Sequence, residues 1–215
     1  MSEYQLYSFA QSGNSYKVAL MLELAGAEWE PIWVDFFHGG TKTPNYLAMN
    51  EMGEVPVLVH REVTLSQSGV ILDYLSERYR DYAPRSEAER REVLRWLLWD
   101  NHKFTSYIAT LRFMMNFAAP EKREPAVITF LEGRVRAAMK ALDIHLGSRA
   151  WIAAEHMTIA DFSCAGYVYY AEEFGADMAG DYPNIERWRN AISAIPGWKH
   201  PYDLLPGHPT PGGPG

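Results

Sequence analysis

The hydrophobic pattern of this chain changes period once, near Pro84-Arg85, and that change confines it to a mixed strand-and-helix unit followed by an all-helical one. Before the change the elements are short. Residues 4–9 alternate as a strand, and residues 15–25 carry Val18, Leu20, Met21, Leu22 and Leu24 at helical spacing up to Gly26, a favoured C-terminal stop. Residues 31–36 read as a second strand, Gly39-Gly40 as a turn, and Thr43-Pro44 as an N-cap with proline at the first helical position, which implies a short helix through Met49. Two brief strands, 57–59 and 63–65, flank His60-Arg61-Glu62, and residues 69–79 make the next helix. The order is βαβαββα.

After Pro84 the strands disappear. Ser86 with Glu89 three residues on forms a capping box for a helix expected to run from 87 to about 117, and a second amphipathic helix is expected over 125–146. Thr158 and Asp161 form another capping box, with Met157 and Phe162 placed as a hydrophobic staple, and both capping residues read as support for folding. Residues 182–195 close the helical part, and the last dozen residues are rich in Pro and Gly, a tail that is either mobile or draped over the domain interface. The chain therefore reads as an α+β protein: a thioredoxin-like N-terminal domain over residues 1–82 and an all-α helical bundle over 86–215. Its 215 residues, 47% of them hydrophobic, are enough for a well-buried core.

A net charge of −7 without a run of Lys or Arg provides no footprint for nucleic acid or an anionic membrane. No apolar run approaches the roughly 20 residues that cross a bilayer, and the first residues lack a basic-then-apolar leader, so a cytoplasmic location is expected. The lone cysteine, Cys164, fits a reducing compartment and reads as a small buried hydrophobe.

Two segments describe a ligand. In Glu54-Val55-Pro56-Val57-Leu58, proline at the start of a strand frees the backbone N–H and C=O of Val55 from the sheet. In the second, Gln67-Ser68 opens a helix whose unpaired N–H groups attract an anion. An extended peptide bearing a carboxylate satisfies both. In this order and spacing the segments resemble the glutathione-binding half of the cytosolic glutathione transferases, and the resemblance covers nearly the whole chain. There the residue before a cis-proline pairs with the cysteinyl backbone, and a Glu-Ser or Gln-Ser pair holds the γ-glutamyl carboxylate. It thus implies that Val55, Pro56, Gln67 and Ser68 bind glutathione as a co-substrate. It also implies a homodimer and no resident cofactor.

The chemistry implied is ionisation of the bound thiol. Lowering a thiol pKa from about 8.5 by about two units requires roughly 2.7 kcal/mol of differential stabilisation. One hydroxyl donating to the thiolate contributes about 1.5–3 kcal/mol, and a helix N-terminus adds about 0.3–1 kcal/mol. The loop Ala10-Gln11-Ser12-Gly13-Asn14-Ser15 is where such donors belong. Aligned on Tyr16-Lys17-Val18, Ser12 falls where the serine-type classes, such as tau and zeta, carry their catalytic serine. Gly13 and Asn14 depart from those patterns and leave Asn14 and Ser15 as alternative donors. The plain alternative is that Ser12 turns the chain and Ser15 caps the helix. Tyr7 shares a strand face with Phe9 and reads as core or lining.

The same resemblance assigns Lys42 to the glycyl carboxylate and Asp100 to the amino group of glutathione across a dimer interface. A hydrophobic co-substrate is expected along Phe104, Tyr107, Leu111 and Met115, which recur at helical spacing. The leading reading is a transferase conjugating glutathione to a small hydrophobic electrophile. A glutathione-dependent cis–trans isomerase of the maleylacetoacetate or maleylpyruvate type, or a non-catalytic binding module, are the alternatives. No metal-binding His-Glu-x-x-His, P-loop or dinucleotide-binding glycine motif is present.

Overall fold

The computed structural model describes residues 2–207. A four-stranded sheet in the order β2-β1-β3-β4 is built from β1 (Tyr4–Ser8), β2 (Trp29–Trp33), β3 (Val57–His60) and β4 (Val63–Ser66). β1 pairs parallel with β2 and antiparallel with β3, and β3 pairs antiparallel with β4. Helices α1 (Gly13–Leu24), α2 (Pro44–Met49) and α3 (Ser68–Ser76) complete the βαβαββα order. Pro31 is tolerated because β2 is an edge strand. That strand begins and ends earlier than its sequence suggests, since its register runs from Tyr4↔Trp29 to Ser8↔Trp33 and stops where β1 stops.

α4 (Glu87–Trp99), α5 (Thr105–Asn116), α6 (Pro125–Leu146), α7 (Ile159–Ala165), α8 (Met178–Asp181), α9 (Pro183–Ser193) and α10 (Pro201–Leu204) make the helical domain. Ser86 caps α4 by accepting the Glu89 N–H at 3.2 Å. Glu89 does not close the box: its carboxylate accepts the Arg85 N–H at 2.6 Å instead. The box at Thr158 and Asp161 is complete, and Asp161 also accepts from Ile152 N and Trp188 Nε1, both at 3.0 Å. Burial nevertheless pushes its carboxyl up to about 6. One hydrophobic core runs through both domains, from Tyr4 and Leu6 to Trp188 and Leu205. Cys164 lies within it as a free, fully buried thiol.

The expected continuous helix over 87–117 is interrupted by a π-turn, Asp100–Phe104. Its cause is a polar cluster inside the core. Asp100, fully buried, pairs with Lys17 Nζ of α1 at 2.6 Å and accepts from Thr105 Oγ1 at 2.7 Å and Ser163 Oγ at 2.5 Å. The expectation that Asp100 reaches a ligand is therefore corrected, because its oxygens are taken by three partners inside the fold. Of the Pro/Gly-rich tail, residues 208–215 lie outside the described residues. Its first part packs on the loop before α1, where the Pro206 carbonyl accepts the Ala10 N–H at 2.8 Å.

Candidate active site

The loop between β1 and α1 ends one turn earlier than the sequence implies. Ser12, not Ser15, is the N-cap of α1, its Oγ accepting the Ser15 N–H at 3.1 Å. This places Ser15 inside the helix, fully buried and away from the cleft, and removes it as a donor to a ligand. Ser12 and Asn14 both line a cavity of about 250 Å³ between the domains. A hydroxyl that accepts the cap bond retains its own proton for donation.

Val55 lines the same cavity. The Val55–Pro56 bond is cis, and Val55 forms no backbone hydrogen bond among the described residues. Gln67 directly precedes α3 with φ of 68° and ψ of 113°, a conformation non-glycine residues rarely hold and one that concentrates at functional positions. Its amide donates to Glu54 Oε2 at 3.2 Å. The first turn of α3 receives no side-chain cap from Gln67, so its N–H groups remain available to an anion. Ser68 Oγ donates to Asn14 Oδ1 at 3.4 Å, which links the start of α3 to the start of α1. Lys42 is exposed and donates to the Gly53 carbonyl at 3.2 Å, two residues before Val55.

The apolar wall departs from expectation. Phe104 and Leu111 are buried in the core, and neither they nor Tyr107 nor Met115 line the cavity. Ala109, Arg112, Phe113 and Phe117 line it instead. The expected stripe is the face of α5 that packs in or against the core, and the cavity receives a different face of the same helix. The opposite wall is Phe9, Phe36 and Phe37, with Phe9 stacked on Phe36 at 4.8 Å and Phe37 on Phe117 at 5.1 Å between centroids. A larger cavity of about 630 Å³ adjoins it beyond these rings, lined also by Trp33, His38 and Pro206.

Arg112 and Tyr167 are lining residues that sequence reasoning missed. Arg112 is buried and donates to Glu173 at 2.6 Å, to Tyr202 at 2.9 Å and to the Gln11 carbonyl, with its guanidinium 4.0 Å from the Tyr170 ring centre. A lone arginine in an apolar helix stripe was the available signal. Tyr167 had none, since it follows α7 in a run of buried residues.

A thioredoxin-like sheet with a helical domain closing a cleft over the β1–α1 loop is the framework of one enzyme class. The N-terminal domain model of glutathione S-transferase matches residues 2–77 and the C-terminal domain model matches residues 104–196. The chain belongs to the glutathione S-transferase family. A glutathione S-transferase structure from Pseudomonas fluorescens is 30% identical, covers 94% of this chain and 100% of its own, and superimposes with a TM-score of 0.86. Disulfide-bond oxidoreductase YfcG of Escherichia coli is 27% identical over 205 residues, 87% of this chain and 89% of that protein. Maleylacetoacetate isomerase of Pseudomonas aeruginosa is 29% identical over 207 residues, 92% of this chain and 95% of that protein. Among the described residues, no helix is long and apolar enough to cross a membrane and no group of three or more His, Cys, Asp or Glu forms a metal site.

Proposed function

We propose that this glutathione transferase holds the tripeptide extended along Val55, with the γ-glutamyl carboxylate at the N-terminus of α3 on Gln67 and Ser68 and the sulfur directed at Ser12 and Asn14. The observation that carries this reading is the meeting of Ser12, Asn14 and Val55 in one cavity, with Ser68 hydrogen-bonded to Asn14. Ser12 donates its hydroxyl proton to the thiolate. The Asn14 amide, its oxygen engaged by Ser68, presents N–H groups to the same place. Lys42, held beside Gly53, takes the glycyl carboxylate.

The thiolate then attacks an electrophilic carbon of a small hydrophobic molecule resting against Phe9, Phe36, Phe37, Phe113 and Phe117, forming the carbon–sulfur bond as the carbon–halogen bond of an aromatic halide breaks and halide leaves to solvent. A diacid substrate of the isomerase kind is disfavoured. Among the described residues, the only positive charge lining the smaller cavity is Arg112, and its guanidinium is already neutralised by Glu173. The protein works in the cytoplasm as a homodimer. An apolar groove of about 590 Å³ supports the dimer: Val70 of α3 and Leu94 and Leu98 of α4 are exposed along it, and Gln67 lies at its edge.

Pre-steady-state thiolate absorbance with glutathione tests the donor assignment. Ser12→Ala raises the pKa of the bound thiol by about one unit or more, as the loss of a hydrogen bond to a charged group requires, and Asn14→Ala raises it less. Unchanged titration in both variants would show that neither side chain is the donor.

A further inference from the structure

The site contains one more hydroxyl, and it comes from the helical domain. Tyr167 follows α7 by two residues and lines the same cavity as Ser12 and Asn14. Its ring lies directly against Gly13. A Cβ at Gly13 would sit 2.5 Å from Tyr167 Cε2 and 2.5 Å from the Gly166 carbonyl, so glycine is what lets the start of α1 approach this segment. The backbone N–H groups of Asn14 and Gly13, at the start of α1, favour the ionised phenol, against the larger effect of burial.

The other buried or half-buried tyrosines near this interface spend their protons inside the fold. Tyr16 donates to the Lys199 carbonyl, Tyr169 to the Arg189 carbonyl, Tyr170 to the Ala10 carbonyl and Tyr202 to Glu173. Tyr167 donates to no acceptor among the described residues. A buried phenol ordinarily finds one.

Resting on the glutathione reading above, we propose that the Tyr167 hydroxyl is a second hydrogen-bond donor to the glutathione sulfur, supplied by the helical domain opposite Ser12 and Asn14. Tyr167 is then a catalytic residue, and the thiolate is held between the two domains. Arg112 of α5 and Asp100 of the π-turn are the charged groups that act on the phenol, in opposite directions. Burial, the larger influence, pushes the phenol pKa up, so it remains protonated and able to donate at neutral pH. The thiol proton leaves to solvent, and the phenol keeps its own while its hydrogen bond stabilises the resulting charge.

Tyr167→Phe tests this in the full-length protein, since it removes only the hydroxyl and keeps the ring on Gly13. Thiolate absorbance of bound glutathione against pH, and kcat/KM with an aromatic halide over the same range, are measured beside glutathione affinity by calorimetry. The expected result is a bound-thiol pKa about one unit higher, with kcat/KM about tenfold lower below that pKa and converging on the parent protein above it. Glutathione affinity measured below the parent's bound-thiol pKa stays unchanged, as does the melting temperature, and affinity weakens only above that pKa. Coincident pH profiles for the two proteins overturn the proposal while leaving the binding reading intact. If the parent protein shows no heat with glutathione, the binding reading itself fails, and this proposal with it.

Discussion

Asp100 shows how one side chain is claimed by the fold rather than by a ligand. It is fully buried with Lys17, and Thr105 and Ser163 also donate to it, so the pair is compensated on every side. Removing one member of such a pair leaves an unpartnered buried charge, at a cost of about 3–5 kcal/mol, far more than the pair's own net contribution. Asp100→Asn should therefore lower unfolding free energy by about that amount in chemical denaturation, whereas Lys17→Met combined with Asp100→Leu should recover most of it. A loss below about 1 kcal/mol in the single variant would mean that water reaches Lys17. The same scale explains Ser12 and Ser15. Serines three apart in such a loop look alike until the helix start is known, and the start is set by which one caps the backbone.

At the level of elements, the start of α7 ties three segments together. Asp161 accepts from Thr158 beside it, from Ile152 in the preceding loop and from Trp188 in α9. Burial still outweighs these donors and lifts its carboxyl to about 6 from an ordinary 3.8. The folded state thus holds this proton to a higher pH than the unfolded chain does. Its contribution to stability is full below pH 3.8 and is lost as pH rises through about 6, a margin of about 3 kcal/mol for a difference of about two units. Stability measured between pH 3.5 and 7 should carry this downward slope, and Asp161→Asn should flatten it. An identical slope in both proteins would assign the titration to other groups. The π-turn between α4 and α5 is the other decisive element, since Asp100 at its start and Thr105 just after it meet on Lys17 of α1.

For the whole molecule, the site lies between the domains, and the domains share one core. The groove along α3 and α4 leaves Leu98 64% exposed and Val70 53% exposed in a single chain, which is apolar surface suited to a second copy. Leu98→Arg should convert the proposed dimer to a monomer in sedimentation velocity at micromolar concentration; an unaltered dimer would place the interface elsewhere, and a monomeric parent protein would remove the dimer itself. Periodicity, caps and punctuation along the chain were sufficient for the βαβαββα element order, for the 22 residues of α6 and for the helix that opens at Gln67-Ser68, because each of these is dictated by neighbours in sequence. Tertiary contacts alone decided the burial of Asp100, the phase of α5 and the arrival of Arg112 and Tyr167 at the cleft. A buried charge pair and a glycine-permitted close approach depend on residues scores of positions apart, and no local pattern encodes which of them will meet.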